Sequence, residues 1–286
     1  MHQILANVWK LGGVSCLMLT ALVGCHDASY QGTIKAEYQR LASVNDIQPL
    51  TKPLVKPILY TQVVSLKGLP TTQQKQKFID LMLPAILVAK FNLDQKHNRI
   101  KHLTKKGWRK VTWTPDDSTF VQTELQRYQA TNISQLEKKI KPHPASLVLA
   151  QAALESGWGT SGFFLEANNV FGVWSFREDE DRIETSARRG KQKVYLRRYD
   201  NLSLSIEDYY ETIGRVPAYR TFRKKRFENE NPYALLPQLH AYSELGRRYT
   251  KRLRAVIHDN RLTRYDKYRI DPAYIQNNAN LVAGNN

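Results

Sequence analysis

The chain holds 286 residues and carries 43 Lys plus Arg against 26 Asp plus Glu, a net charge of +17. At 42% hydrophobic and 24% charged it has the composition of an ordinary globular protein with a real core. Its two cysteines and seven histidines fall into neither CxxC nor HExxH spacing, which argues against a disulfide scaffold and a structural zinc, so no metal or other cofactor is expected. The charge predicts a polyanionic partner: nucleic acid, an anionic membrane face or an acidic wall polymer.

Residues 1–24 read as an export signal. MHQILANVWK supplies a lysine, and LGGVSCLMLTALVG follows as an uncharged run too short for a comfortable membrane span. The run ends in Leu22-Val23-Gly24-Cys25, which resembles a bacterial lipobox. That resemblance implies acylation of Cys25 and a membrane-anchored chain on the periplasmic side of the envelope. His26, where an aspartate would favour the inner membrane, points to the outer one. An ordinary cleaved signal or an uncleaved anchor are the plainer alternatives.

Residues 25–70 lack sustained periodicity and carry Pro49, Pro53, Pro57 and Pro70, so they read as a tether, with a weak hairpin strand around Ile58–Val64. Residues 71–141 read as a helical region. Thr71 or Thr72 can cap, and Phe78, Leu81, Met82, Ala85, Ile86 and Ala89 recur at helical spacing, with Pro84 expected to kink or split the helix. Shorter helices are expected at Ser118–Gln129 and Ser134–Ile140. Residues 142–262 form the next unit: a helix at Pro144–Ser156, strand-like pieces at Arg182–Ser186 and Lys193–Tyr199, then helices at Leu204–Val216 and Asn231–Asn260, the last interrupted near Ser243. Residues 263–286 read as a loosely ordered polar tail.

The helix PASLVLAQAALE has almost no polar face and should be central, yet it ends in Glu155. Gly157 can stop the helix in the left-handed conformation. Desolvation and the negative end of the helix dipole both raise a carboxyl's pKa there, which suits a general acid and not a stabilising contact. A structural salt bridge to an arginine is the plainer reading of Glu155 alone. The residues downstream of it favour a site: Trp158, Phe163, Phe164, Phe171, Trp174 and Phe176 fall within nineteen residues, interleaved with Asn168 and Asn169. Aromatic faces and amides can line a sugar groove, although a small aromatic core would use the same rings.

The segment SLVLAQAALESGWGTSGFFLEANNVFGVW resembles the signature of bacterial glucosaminidase domains of glycoside hydrolase family seventy-three, and LRRYDNLSLSIEDYYETIGRVPAYRTFR resembles a later segment of the same family. KQKFIDLMLPAILVAKFNL is similar to its Bax-like branch in Gram-negative bacteria. The resemblance implies an α+β, mainly helical, lysozyme-like glucosaminidase domain with an N-terminal helical extension. It also implies cleavage of peptidoglycan glycan strands after N-acetylglucosamine. Carried over, Glu155 falls on the general acid, Tyr219 near the active-site tyrosine, and Asn169 on the Asn-Asn-x-Phe-Gly element beside the cleft. Trp158, Phe171 and Trp174 are its candidate sugar contacts. The family's water-activating glutamate has no clear counterpart. FREDEDRIETSARRG offers Glu178, Asp179, Glu180, Asp181 and Glu184; Glu184, in the strand-like RIETS, is the candidate, and the substrate's own acetamido group is the alternative.

Basic runs at 188–198, 220–226 and 247–254 read either as solvated helix faces or as attraction to anionic wall polymer, membrane phosphates or lipopolysaccharide. A nucleic-acid protein is disfavoured by the export signal and the lack of a recognition motif. The rival is a non-catalytic wall-binding or scaffolding lipoprotein.

Overall fold

The computed structural model of the protein describes residues 32–108, 112–189 and 192–277. Cys16, Cys25 and the whole signal-like segment lie outside them. The expected tether is instead folded: it contains strands β1 (Gly32–Ile34), β2 (Glu37–Arg40), β3 (Leu54–Val55) and β4 (Ile58–Gln62). β4 matches the weak strand expected there, but it pairs in parallel with β2 and forms no hairpin. Leu41, Ile47, Val55, Leu59, Tyr60 and Leu66 are buried, so this segment closes one side of the core. Such short strands satisfy their backbones against distant chain, which leaves no local period to read.

Helix α1 (Thr71–Trp108) continues for 38 residues through Pro84, so the proline does not split it. Its apolar stripe, Phe78 to Ala89, is buried against the rest of the core, and that tertiary packing outweighs the lost backbone bond. α2 (Pro115–Arg127) starts before Ser118 because Thr114 and Asp117 form a capping box. α3 (Ile133–Ile140) and α4 (Ala145–Glu155) follow, the latter buried from Ala145 to Ala153. Then come α5 (Gly162–Ala167), β5 (Trp174–Ser175), β6 (Arg182–Arg189), β7 (Gln192–Arg197), α6 (Leu202–Arg215) and α7 (Arg220–Glu228). β7 sits between β5 and β6 in an antiparallel sheet. The expected long helix at Asn231–Asn260 is α8 (Pro232–Leu235), a 3-10 stretch Leu236–Tyr242 and α9 (Arg247–Asp259), broken just after Ser243 where Gly246 takes φ +53.

The chain from 263 to 277 is no loose tail. β8 (Arg269–Ile270) pairs with β3, and β9 (Ile275–Asn277) pairs with β1. Asp266 reaches the start of α4, where its carboxylate accepts from Ser146 N and Ser146 Oγ, both at 2.8 Å. A proline-started helix without a side-chain cap of its own thereby receives one from far along the chain. α1 packs on α3, α4 and α6, so residues 71–141 and 142–262 share one core and the boundary expected at 141 is not a physical one. The architecture is α+β and mainly helical. Among the described residues no helix is long and apolar enough to cross a membrane.

Candidate active site

The chain reverses sharply where α4 ends. Ser156 Oγ donates to Ala152 O at 2.7 Å and accepts from Gly159 N at 3.2 Å, while Gly157, Trp158 and Gly159 all take positive φ, +59, +57 and +81. A Cβ at Gly159 would sit 3.0 Å from Leu66 Cδ1, so the turn needs glycine for space as well as for conformation. This reversal leaves Glu155 at the tip of a buried helix, with its side chain open to solvent. The residue meets solvent on one side, while the packing that includes Tyr249 still desolvates part of its carboxyl.

Tyr249, on α9, donates its hydroxyl proton to Glu155 Oε1 at 2.8 Å. Behind it runs a chain of buried polar groups. Gln151 Nε2 donates to Tyr249 Oη at 3.2 Å, and Tyr209 Oη donates to Gln151 Oε1 at 2.5 Å. His143 Nε2 lies 2.8 Å from Tyr209 Oη. Because Tyr209 gives its proton to Gln151, the imidazole must be the donor, which fixes the Nε2–H tautomer. His143 is wholly buried, and that burial depresses its pKa well below the usual range, so it stays neutral. Every donor in the series points toward Glu155, an arrangement in which each bond polarises the next.

Burial pushes the Glu155 pKa up, while the Tyr249 hydrogen bond and the Arg252 charge pull it down. Burial wins. Among the described residues none of the groups acting on this carboxyl is a second carboxylate. Tyr219 is buried beside it: desolvation raises the Tyr219 hydroxyl, and the Glu155 charge raises it further. Tyr242 completes the wall, stacked on Tyr249 at 5.5 Å and 6.3 Å from the Tyr219 ring. Glu155 and Tyr219, far apart in sequence, are thus brought together.

The expected sugar contacts fare differently. Asn169 is 1% exposed and its amide is fully engaged: Nδ2 donates to Val173 O and Arg197 O, and Oδ1 accepts from Val173 N. It ties the loop after α5 to β7, so it is a structural residue and offers no group to a ligand. Trp158 packs edge-on against Phe78 of α1 at 5.5 Å and serves the core. Phe171 stacks on Tyr209 at 4.3 Å, buttressing the polar chain. Trp174 alone of the four is exposed, at 42%, with Phe176 beside it at 6.1 Å.

Among the acidic candidates, Glu184 lies on β6 in an exposed ion pair with Lys193, 2.8 Å away on β7. Glu180 is not a solvated loop residue. Arg197 donates to it through Nη2 at 2.8 Å and Nε at 3.2 Å, and Ser175 Oγ donates to it at 2.8 Å. The same Arg197 binds Asp208 of α6 at 2.7 Å, so Glu180 is locked into the joint between sheet and helix. Asp179 pairs with Arg177, and Asp181 with Arg198 at 3.5 Å.

Sequence reasoning missed Tyr249, Tyr242 and Tyr209. Gln151 left a signal: a lone amide in an apolar helix, four residues before Glu155 and therefore on its face. Tyr249→Phe should release the hold that lowers Glu155. The alkaline limb of the activity profile should move to higher pH, with turnover down roughly tenfold from lost positioning. An unmoved or lowered limb would show that Tyr249 does not govern the acid.

Residues 130–286 match the glucosaminidase family, described as mannosyl-glycoprotein endo-beta-N-acetylglucosaminidase. Protein bax of Escherichia coli strain K12 is 26% identical over 203 residues, which span 66% of this chain and 70% of that protein. The catalytic domain of the autolysin Auto from Listeria monocytogenes aligns at 21% identity and TM-score 0.37, over 58% of this chain and 96% of that one. A peptidoglycan hydrolase from Sphingomonas sp. A1 aligns at 24% identity and TM-score 0.35, over 51% and 85%. With the family matched over more than half its length, the chain belongs to the glucosaminidase family of glycoside hydrolases.

Proposed function

We propose that the protein is an endo-β-N-acetylglucosaminidase that cuts the glycan strands of peptidoglycan, with Glu155 as general acid. One observation carries this reading: a solvent-facing carboxyl at the end of a buried helix, held by Tyr249, whose pKa burial raises. A protonated acid there can protonate the departing sugar oxygen. Tyr219 flanks it, and Trp174 offers an exposed ring for a sugar face. Peptidoglycan as substrate is supported by membership of the glucosaminidase family and by the resemblance of residues 146–174 to its bacterial members.

We assign water activation to Glu184, which lies on strand β6. Among the described residues no carboxylate acts on Glu155, which favours the substrate's acetamido group as the second reading. Cys25 is assigned as the acylated anchor that holds the enzyme to the envelope, outer membrane before inner, on the strength of the Leu22–Cys25 motif.

Product ends provide the test. Sacculi digested with the purified protein, then reduced and analysed by mass spectrometry, should yield fragments ending in N-acetylglucosaminitol. N-acetylmuramitol ends would reject the glucosaminidase assignment, and binding without any cleavage would favour a scaffold. In the same assay Glu184→Gln should lose roughly 100-fold if Glu184 activates the water. Near-wild-type turnover would assign that role to the acetamido group.

A further inference from the structure

The run RTFRKKRFE, read from sequence as a charged stretch, is helix α7, and its two faces have separate roles. Phe222 and Arg226 are buried against the core. Arg220, Arg223, Lys224 and Phe227, at helical spacing, line a groove of about 770 Å³ shared with Lys138 and Lys139 of α3 and Arg215 of α6. Glu228 is the one acid in that lining. Pro217 also lines it, and this proline opens the turn Pro217–Tyr219 that sets Tyr219 beside Glu155.

The cations at the base of the groove are held by carbonyls, not carboxylates. Arg223, 7% exposed, donates Nη1 to Ile213 O at 2.9 Å and Val216 O at 2.7 Å. Lys139 Nζ donates to Tyr128 O and Gln129 O, both at 2.8 Å. Arg226 Nη2, just behind, donates to Lys138 O and Lys139 O. Carbonyls satisfy hydrogen bonds without cancelling charge. After the penalty of burial, Arg220 pushes the Arg223 pKa down, and Arg223 does the same to Lys139 and Arg226. Arg215 is partly neutralised by Glu211 at 3.7 Å. The groove is therefore a concave, net cationic site whose like charges repel until an anion enters.

We propose that this groove binds the carboxylates of the peptide stems carried by the glycan strand, so that the enzyme reads the stem while Glu155 attacks the sugar. This rests on the assignment of peptidoglycan as substrate. Guanidinium groups from one helix and ammonium groups from another suit a ligand with several carboxylates spaced along a chain. The shared Pro217–Tyr219 turn favours a stem over a membrane phosphate. A group seated here is within a few residues of the cleft, whereas a flat lipid surface would not reach Arg223 at the base.

The test is direct binding of a soluble acidic stem tetrapeptide to the full chain, by calorimetry, at low and moderate salt. Wild type should bind, with affinity falling as salt rises, and Arg220→Gln/Lys224→Gln should raise Kd at least about tenfold. Both side chains are exposed, so the double variant should melt with the wild type. Cleavage gives an independent readout: the wild-type preference for stem-bearing sacculi over amidase-stripped glycan should shrink at least about tenfold in the variant. Equal peptide affinity in the two proteins, or binding of phosphatidylglycerol vesicles but not of peptide, would overturn the proposal. A protein that binds the peptide but cuts no glycan would refute the enzymatic assignment alone. One that cuts glycan but ignores the peptide would refute the groove alone.

Discussion

Glu155→Gln should lower glycan-strand hydrolysis by a factor of about 100 to 10,000, the range a general acid contributes, and leave the fold intact. The substitution is informative because glutamine keeps an oxygen where Tyr249 donates its bond at 2.8 Å. What disappears is the transferable proton. A purely structural glutamate would give the opposite pattern, a lower melting temperature with activity falling only in proportion. The effect on stability has a definite sign. Burial raises the folded-state pKa of Glu155, so the folded chain favours the protonated form and loses stability as pH rises from the unfolded pKa through the folded one. A neutral amide escapes that loss. At neutral pH the variant should therefore melt at or above the wild-type temperature, as expected when a site is built for chemistry at the expense of stability. Clearing of a peptidoglycan gel within about tenfold of wild type would remove Glu155 from the role of acid.

Glu155 stood out in the sequence because helical spacing and residue type conflict at one place. Helical spacing demands an apolar residue or a cap at the end of α4, and the chain supplies a carboxylate followed by Gly157. Its partners were illegible for different reasons. Tyr249 lies in RRYTKRLR, where charge dominates the local reading, and only tertiary packing turns that tyrosine inward to 3% exposure. Asn169 looked like a ligand amide because asparagine among aromatics suits both a groove and a loop tie. Its three internal hydrogen bonds decide for the tie. Strands β1 and β3 pair with β9 and β8 across more than two hundred residues, so no local window contains both halves of either pair. The interior helices follow from local apolar spacing, and they were readable. The strands that cover them do not.

Gly214→Ala should destabilise the chain by about 2 kcal/mol or more, although alanine is the better helix former by roughly 0.5–1 kcal/mol. The two effects compete, and distance decides between them. A Cβ at Gly214 would sit 2.6 Å from Tyr128 Cε1 and 2.8 Å from Lys139 O. Tyr128 is 2% exposed, so its ring has no room to swing away. The Lys139 carbonyl also receives the Arg226 guanidinium at 3.0 Å, so moving it disturbs a buried charge that pairs with no carboxylate among the described residues. At about 2–4 °C per kcal/mol for a chain of this size, the melting temperature should fall by roughly 4–8 °C. The consequence should extend to catalysis. Gly214 lies in the last turn of α6, two residues before Val216, whose carbonyl holds Arg223 at 2.7 Å, and the next turn carries Tyr219. A displaced α6 terminus shifts that turn away from Glu155, so turnover should fall at temperatures where the variant is still folded. A variant that melts with the wild type would mean that α6 and α3 separate at little cost. In that case the close contact at Gly214 would not be what sets the position of Tyr219.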